Sequence, residues 1–421
     1  MVHVKPVRRA AIVAVGSELL TPSRVDTNSL LITEQLNLLG IEVVFKGVVG
    51  DDREELGVVL ANALERADLV VCSGGLGPTD DDVTRDAVAA LLTRPLEEDG
   101  SIAERIRARF AARGLEMPGI NRRQAMVPQG AAVLENERGT APGLWLEAGD
   151  RVLLLLPGPP REMTVVLAAA RGRLEARADG WSLARAVVRI TGRTESHAEE
   201  VLRPLYAEWM QAVPPIAATI LASLGQVELH VSARSRSRED AESAVRAAAA
   251  RVAAAIGPDA FSVDGRAMEQ VVGDLLAARG LSIAVAESCT GGLITSRLTD
   301  VPGSSRYVDR SVVVYANTAK TALLGVSPAL LAEHGAVSDA VARAMAEGMR
   351  ERAGTDVGVG VTGVAGPGGG TPEKPVGTVV IAVATPDGTR SRMFHFPGDR
   401  AQIKYHASQA ALDMVRRLLE P

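Results

Sequence analysis

The stretch AESCTGGLITSRL, Ala286 to Leu298, sets Ser288, Cys289 and Thr290 in a row and follows them with Gly291 and Gly292. A serine attacks an acyl carbon only when a base takes its proton, and lysine serves once desolvation or neighbouring positive charge lowers its pKa. The segment VPGSSRYVDRSVVVYANTAK places Ser304 and Ser305 in a turn, Tyr315 at a strand end and Lys320 at a helix start. Ser305 with Lys320, and Tyr315 between them as proton relay, form such a set. His334 ends a helix before Gly335, and His395 and His406 lie far down the chain, so a Ser–His–Asp triad finds no obvious histidine. Cys289 is the rival nucleophile. A thiolate beside a helix N-terminus is acidified, whereas a thiol turned inward is a small apolar filler, and both readings stay open.

Two more loops bear on the same chemistry. GVTGVAGPGGGTPEKPVGT, with Thr362, Gly363, Gly366 and Lys374, follows a strand and suits the wrapping of an anion by backbone N–H groups. FPGDRAQ puts Arg400 near the start of the last helix, where a guanidinium can grip a phosphate through two hydrogen bonds. Far upstream, CSGGLGPTDDDVTRDAV (Cys72 to Val88) ends a buried strand in a glycine-rich turn with three acids before a helix. There backbone N–H groups approach a phosphate, and Asp81 and Asp82 either hold a divalent cation or merely cap the helix. Glu18, Asp26 and Asn28 belong to the same sheet end, where open α/β sheets bind ligands.

These loops need scaffolds. AAIVAVG, IEVVFKGVVGD, DLVVCSGGLG and DRVLLLLPGPP are short apolar runs ending in Gly or Pro, separated by helical stretches such as REELGVVLANALERA. Such alternation predicts an α/β domain with a parallel sheet covered on both faces over residues 1–170. ARAVVRITG and QVELHVSAR alternate as half-exposed strands, and an Ala-rich helix stops at Gly257-Pro258, predicting a small α+β linking domain over 171–264. Strands and helices alternate again over 265–421, a second α/β domain.

Composition narrows the partners. The 421 residues are 47% hydrophobic and 23% charged with a net charge of -5, so clustered phosphate-neutralising cations are not expected and nucleic acid is not an expected partner. Two cysteines, Cys72 and Cys289, offer no disulfide framework, which points to a reducing cytoplasm. The first apolar run reads as a strand, and no stretch has the length of a membrane span.

Taken in order, AESCTGG, DVPGSSRYVDRSVVVYAN, HGAVS, VTGVAGPGGGTPEKPVG and GDR resemble the C-terminal domain of the CinA (competence/damage-inducible protein A) family. SGGLGPTDDDVTRDA, NRRQAMVPQGA, GTAPG and LLPGPPREM resemble its N-terminal domain, a three-layer α/β domain similar to molybdopterin-binding domains, and ITGRTESHAEEVL fits its linking domain. The resemblance implies hydrolysis of nicotinamide mononucleotide to nicotinate mononucleotide and ammonia, recycling a pyridine nucleotide without a cofactor. It maps the catalytic serine to Ser305, further active-site positions to Ser288, Tyr315 and Lys320, and substrate contacts to Thr362 and Arg400, leaving Cys289 a bystander. Lys374 joins Arg400 as expected partner of the ribose phosphate, with Gly363 and Gly366 in the anion loop. For the N-terminal domain it implies metal-dependent ADP-ribose pyrophosphatase activity, but Thr21-Pro22 departs from the family pattern where a loop approaches the ligand. A homo-oligomer, a dimer, is expected. Two readings compete: the pyrophosphatase as the working activity, and a non-enzymatic protein of competence or DNA repair, for which no basic stripe is seen.

Overall fold

A computed structural model describes residues 5–420. These divide into two compact units: one runs to Ala184 and takes in Ala233–Ser243, and the other holds Arg185–Ser232 and the chain from Ala244 onward.

The first unit contains β1 (Arg9–Val15), β2 (Glu42–Val49), β3 (Leu69–Ser73), β4 (Leu96–Glu98), β5 (Met126–Pro128), β6 (Ala132–Leu134), β7 (Gly143–Ala148) and β8 (Arg151–Leu156). Its helices are α1 (Asn28–Leu38), α2 (Arg53–Arg66), α3 (Thr84–Leu91), α4 (Gly100–Ala111) and α5 (Pro160–Arg177). Six strands form one sheet in the order β2-β1-β3-β8-β7-β6. Its first four strands run parallel, and β7 and β6 turn back antiparallel. Side chains alternate across a strand, so Ala11, Val13 and Val15 of β1 pack against α2, α3 and α4, while Ala10 and Ile12 face α1 and α5. The result is the three-layer α/β arrangement that the apolar runs predict.

The linking segment builds its own sheet from β9 (Ser182–Ile190), β10 (Ile216–Ser223), β11 (Gln226–Ser235) and β12 (Ala260–Ser262), with α6 (Glu195–Gln211) and α7 (Arg238–Ile256). It is not a free-standing third body: most of it belongs to the second unit. Long-range ion pairs explain this. Asp259 pairs with Arg193 at 2.6 Å and with Arg417 at 2.7 Å, and Arg416 donates to the Pro258 carbonyl at 2.6 Å.

The remainder of that unit comprises α8 (Met268–Arg279), β13 (Ile283–Glu287), α9 (Leu293–Thr299), β14 (Val308–Val313), α10 (Asn317–Leu324), α11 (Pro328–His334) and α12 (Asp339–Ala353). There follow β15 (Val357–Gly363), β16 (Thr378–Thr385), β17 (Gly388–His395) and α13 (Arg400–Leu419). The sheet order is β14-β13-β15-β16-β17, with β13 parallel to both neighbours and the β15–β17 part antiparallel. One face is covered by α8, α9 and α13, the other by α10, α11 and α12. The GVGVTG run has its reason here. A Cβ on Gly358 would stand 2.3 Å from the Ala346 carbonyl and one on Gly360 2.5 Å from that of Ala342, so α12 lies directly on the β15 backbone.

Candidate active site

Parallel β13 and β14 end side by side, with Glu287 paired to Val313, so Ser288 and Val314 are the first residues past the same sheet edge. Ligands of open α/β sheets bind outside such carboxyl ends. Glu287 is fully buried, and its carboxylate accepts the Gly292, Ile294 and Thr295 N–H groups at 2.9, 3.2 and 3.0 Å and the Thr295 hydroxyl at 2.8 Å. These donors are the otherwise unpaired N–H groups of a helix start, so Glu287 folds the Ser288–Gly292 loop back over the strand end. The fold-back needs left-handed backbone at Gly291 (φ +62) and Gly292 (φ +92), which glycine adopts at little cost. The Ser288 N–H donates to Val361 at 3.0 Å, anchoring the loop to β15, while the N–H groups of Cys289 and Thr290 reach no backbone carbonyl among the described residues.

Lys320, in the first turn of α10, is 1% exposed. Its Nζ lies 2.9 Å from the Val314 carbonyl, 3.2 Å from the Tyr315 carbonyl and 3.4 Å from Ser288 Oγ. Burial disfavours the charged form and lowers its pKa from the ordinary 10.5, while the nearby Cys289 opposes that shift. Nζ is thus placed to donate to all three oxygens. In its neutral form an amine has two N–H donors, enough for the two carbonyls, and a lone pair left for the Ser288 hydroxyl.

Ser305 does not take part in that arrangement. Its short turn, Ser304–Arg306, sits at the opposite end of β14, exposed, beside the β13 start, where Ile283 N–H donates to Tyr307 at 2.7 Å. The extended strand Val308–Val313, rising ~3.3 Å per residue, lies between that turn and the strand exit where Lys320 sits. Within one chain, then, Lys320 neighbours Ser288 and not Ser305, and the expected Ser305–Tyr315–Lys320 relay is not assembled there. Tyr315 is no relay either: its side chain is 61% exposed, its hydroxyl accepts from Arg400 at 2.8 Å, and only its carbonyl touches Lys320. Cys289 packs in the core, where burial pushes its thiol up to about 12, the apolar-filler alternative.

Arg400 joins the remaining loops. It donates to the Gly366 carbonyl at 2.7 Å as well as to Tyr315, so the anion loop and the β14 exit meet at the N-terminus of α13. Thr362 is buried and donates to the Ala336 carbonyl at 2.8 Å, tying β15 to the turn before α12 rather than presenting its hydroxyl to a ligand. Gly363 is a packing position, since a Cβ there would stand 2.7 Å from the Thr378 carbonyl. Lys374 reaches the His334 carbonyl at 3.1 Å, at the end of α11. Lys404, one turn beyond Arg400, was not foreseen: its Nζ stands 3.5 Å from a Cβ placed on Gly291. The signal was present in GDRAQIK, since residues four apart share a helix face.

The first unit carries a cavity of about 660 Å³ at the carboxyl ends of β1, β3 and β8, lined among others by Glu18, Asp26, Asn28, Asp81 and Asp82. Asn28 donates to Ser73 Oγ at 2.8 Å and the Gly158 carbonyl at 2.7 Å, while its buried Oδ1 has no partner. Arg85 is buried and donates to the Leu76 and Gly77 carbonyls at 2.5 and 2.6 Å, its pKa pulled down to about 10 by burial. Asp82 accepts the Gly77 N–H at 2.6 Å, the Thr79 N–H at 2.8 Å and the Thr79 hydroxyl at 2.6 Å. Thr79 likewise holds the Asp81 carboxyl below its ordinary range. Asp82 serves the turn, Asp81 and Asp82 both line the cavity, and among the described residues no three of His, Cys, Asp and Glu converge on one point. Thr21 closes the short Ser17–Leu20 turn by donating to the Glu18 carbonyl, so Pro22 follows a finished turn and is not among the cavity-lining residues.

Among the described residues no helix is long and apolar enough to cross a membrane. Residues 265–419 match the family described as CinA C-terminal domain, and residues 11–175 match the Probable molybdopterin binding domain. A CinA-like protein of Koribacter versatilis is 45% identical over 415 residues, spanning 97% of this chain and 99% of that protein. A CinA-like protein of Acidobacterium capsulatum is 46% identical over 415 residues, with 97% and 99% covered. A solved structure of a competence/damage inducible protein from Agrobacterium tumefaciens is 40% identical, covering 36% of this chain and 94% of that one at a TM-score of 0.36.

Proposed function

The chain belongs to the CinA family, and from that premise we propose that its C-terminal unit hydrolyses the carboxamide of nicotinamide mononucleotide. One observation carries the reading as an amide hydrolase: a buried lysine whose Nζ lies 3.4 Å from a serine hydroxyl at a sheet edge. The choice of substrate rests on the family resemblance.

In the first step Lys320 Nζ takes the Ser288 proton and Oγ bonds to the carboxamide carbon. The N–H groups of Cys289 and Thr290, which reach no backbone carbonyl among the described residues, are the candidate donors to the tetrahedral oxyanion. As the C–N bond breaks, the Lys320 ammonium returns its proton to the departing nitrogen and ammonia leaves. Water then attacks the Ser288 ester with Lys320 again as base, freeing nicotinate mononucleotide and restoring both side chains. Ammonia release from nicotinamide mononucleotide by wild type and Ser288→Ala tests the reading. Wild-type turnover abolished by the substitution supports it, and a wild type that releases no ammonia ends it.

A second reading concerns the first unit, whose cavity and unpartnered Asn28 Oδ1 suit a polar ligand. By family resemblance that ligand is a phosphate-bearing nucleotide such as ADP-ribose. Calorimetric titration of ADP-ribose into wild type and Asn28→Ala checks it: binding that weakens in the variant supports a ligand there, and no heat in wild type excludes this one.

A further inference from the structure

We propose that Arg297 is a positioning residue for the reaction: by locking α9 to α13 through a buried node, it sets the distance between Ser288 and Arg400. The inference rests on the amide-hydrolysis reading above, whose rate reports that distance.

Arg297 lies in α9 and is 6% exposed. Its Nη1 donates to Ser408 Oγ at 2.8 Å, and its Nη2 to Gln409 Oε1 at 2.6 Å and Glu269 Oε2 at 2.7 Å. The guanidinium also stands 4.8 Å from the centre of the Tyr405 ring. One side chain of α9 therefore reaches α8 through Glu269 and α13 through Tyr405, Ser408 and Gln409. The acceptors are arranged around it. Ser408 gives its own proton to the Tyr405 carbonyl at 2.7 Å, which leaves its oxygen lone pairs for Arg297. Gln409 turns its oxygen to Arg297 although its buried Nε2 is then without a partner among the described residues. The turn between β10 and β11 closes over the same node, since a Cβ on Gly225 would stand 3.4 Å from Gln409 and from the Tyr405 ring.

A buried guanidinium is not needed to hold these helices together. Val272, Leu276, Ile294, Leu298, Ile403 and Ala407 already share the apolar core beneath them. Hydrophobic contact is non-directional, so it draws helices close without fixing how far one has slid along another. Replacing a buried ion pair by apolar side chains of similar volume is often neutral or stabilising, and register is the best-attested use of such a pair. The rigid fork of an arginine, with its donors in fixed directions, supplies that register.

Register matters here because each helix carries part of the site. α9 starts directly after the Ser288–Gly292 loop, and Glu287 binds the loop and the first N–H groups of α9 into one piece. α13 starts with Arg400, about two helical turns before Ser408. A substrate held at both Ser288 and Arg400 senses their separation, and a misplacement of ~1 Å from a distant substitution can cost ~100-fold in rate.

The test uses the full-length protein and removes both charges together. Arg297→Met combined with Glu269→Met leaves neither charge of the pair alone, so its urea midpoint is expected to match or exceed that of wild type. Its kcat/KM for ammonia release from nicotinamide mononucleotide is expected to fall about 10- to 100-fold, with the pH midpoint of the profile unchanged because Lys320 is untouched. In an Arg400→Ala background the same pair of substitutions is expected to cost about 2-fold or less, because the distance it disturbs no longer counts. Wild-type kinetics in the paired variant overturn the assignment. So do equal losses in the two backgrounds, the result that a merely structural role gives. Crystal structures of wild type and the paired variant separate this from failure of the parent reading. A displacement of Arg400 relative to Ser288 supports the positioning role even where wild type releases no ammonia, in which case only the hydrolase reading is lost. Superimposable positions of the two residues overturn the positioning role itself.

Discussion

Lys320 Nζ stands 3.4 Å from Ser288 Oγ, although 32 residues separate them in the chain. Parallel pairing of β13 with β14 creates this proximity. If Ser288 is the nucleophile and Lys320 its base, as proposed, Ser288→Ala is expected to lower kcat at least ~1,000-fold, the scale of losing a catalytic nucleophile. Ser305→Ala, at the far end of β14, is expected to stay within about 3-fold of wild type by the same comparison. Steady-state ammonia assays on folded variants read both. The reverse pattern would mean that Ser305 reaches a base this chain does not place beside it.

The base must be neutral, which fixes the sign of a pH effect. Burial holds the folded-state pKa of Lys320 below 10.5, so kcat/KM is expected to rise with pH and level off with a midpoint below that value. Lys320→Arg, whose guanidinium stays protonated, is expected to be inactive across the range. Stability follows the same group. Between the lowered folded pKa and the ordinary lysine value the unfolded chain binds more protons, so this group makes the fold more stable as pH rises through that window. Lys320→Met is expected to remove that slope from a series of urea midpoints, and an identical slope in the variant would place the titration elsewhere.

Much of the architecture was legible because β-branched runs ending in Gly or Pro have few structural uses, and those around Val13, Val71 and Val285 became central strands. The site was legible only in part. VPGSSRYVDRSVVVYANTAK looks like one neighbourhood, yet an extended strand holds its two ends apart, and spacing along the chain does not reveal strand pairing. Lys404 required knowing which face of α13 turns toward Gly291. The grouping of the linking segment with the C-terminal sheet was hidden for a similar reason, since the pairs from Asp259 to Arg193 and Arg417 span 66 and 158 residues.

Glu287 is the positioning residue of the loop. Glu287→Gln keeps its size but turns an amide N–H₂ toward backbone donors that need an acceptor. Leaving such donors unpaired costs ~1–3 kcal/mol. The expected outcome is a lower unfolding midpoint together with a drop in kcat larger than any change in KM, because Ser288 and its neighbouring N–H groups lose register. A variant with wild-type kcat would show that the loop holds its shape without the carboxylate.

Cys289 lies in the reactive-looking triplet yet has its thiol pushed up to about 12 by burial. Thiolate is the reactive form, so iodoacetamide at pH 8 is expected to leave the folded protein active and this residue unmodified. Cys289→Ala is expected to retain activity at some cost in stability, as the deletion of a buried side-chain atom does. Rapid alkylation that stops turnover while the fold persists would return the thiol to the role of nucleophile.

Asp82 sits in an acidic run that reads as a cation site, but its hydrogen bonds describe a different task. Its two oxygens take the Gly77 N–H and both donors of Thr79, closing the turn that leads from β3 into α3, and the buried Arg85 holds the same turn through the Leu76 and Gly77 carbonyls. If the carboxylate holds a turn, its removal acts on stability whether or not a cation is present. Asp82→Ala is expected to cost ~1–2 kcal/mol, the range for a lost cap, with equal shifts in the unfolding midpoint in EDTA and in millimolar magnesium. If instead Asp82 held a cation, magnesium would stabilise wild type and not the variant. That asymmetry would restore the metal site and displace the turn as the reason for the acid.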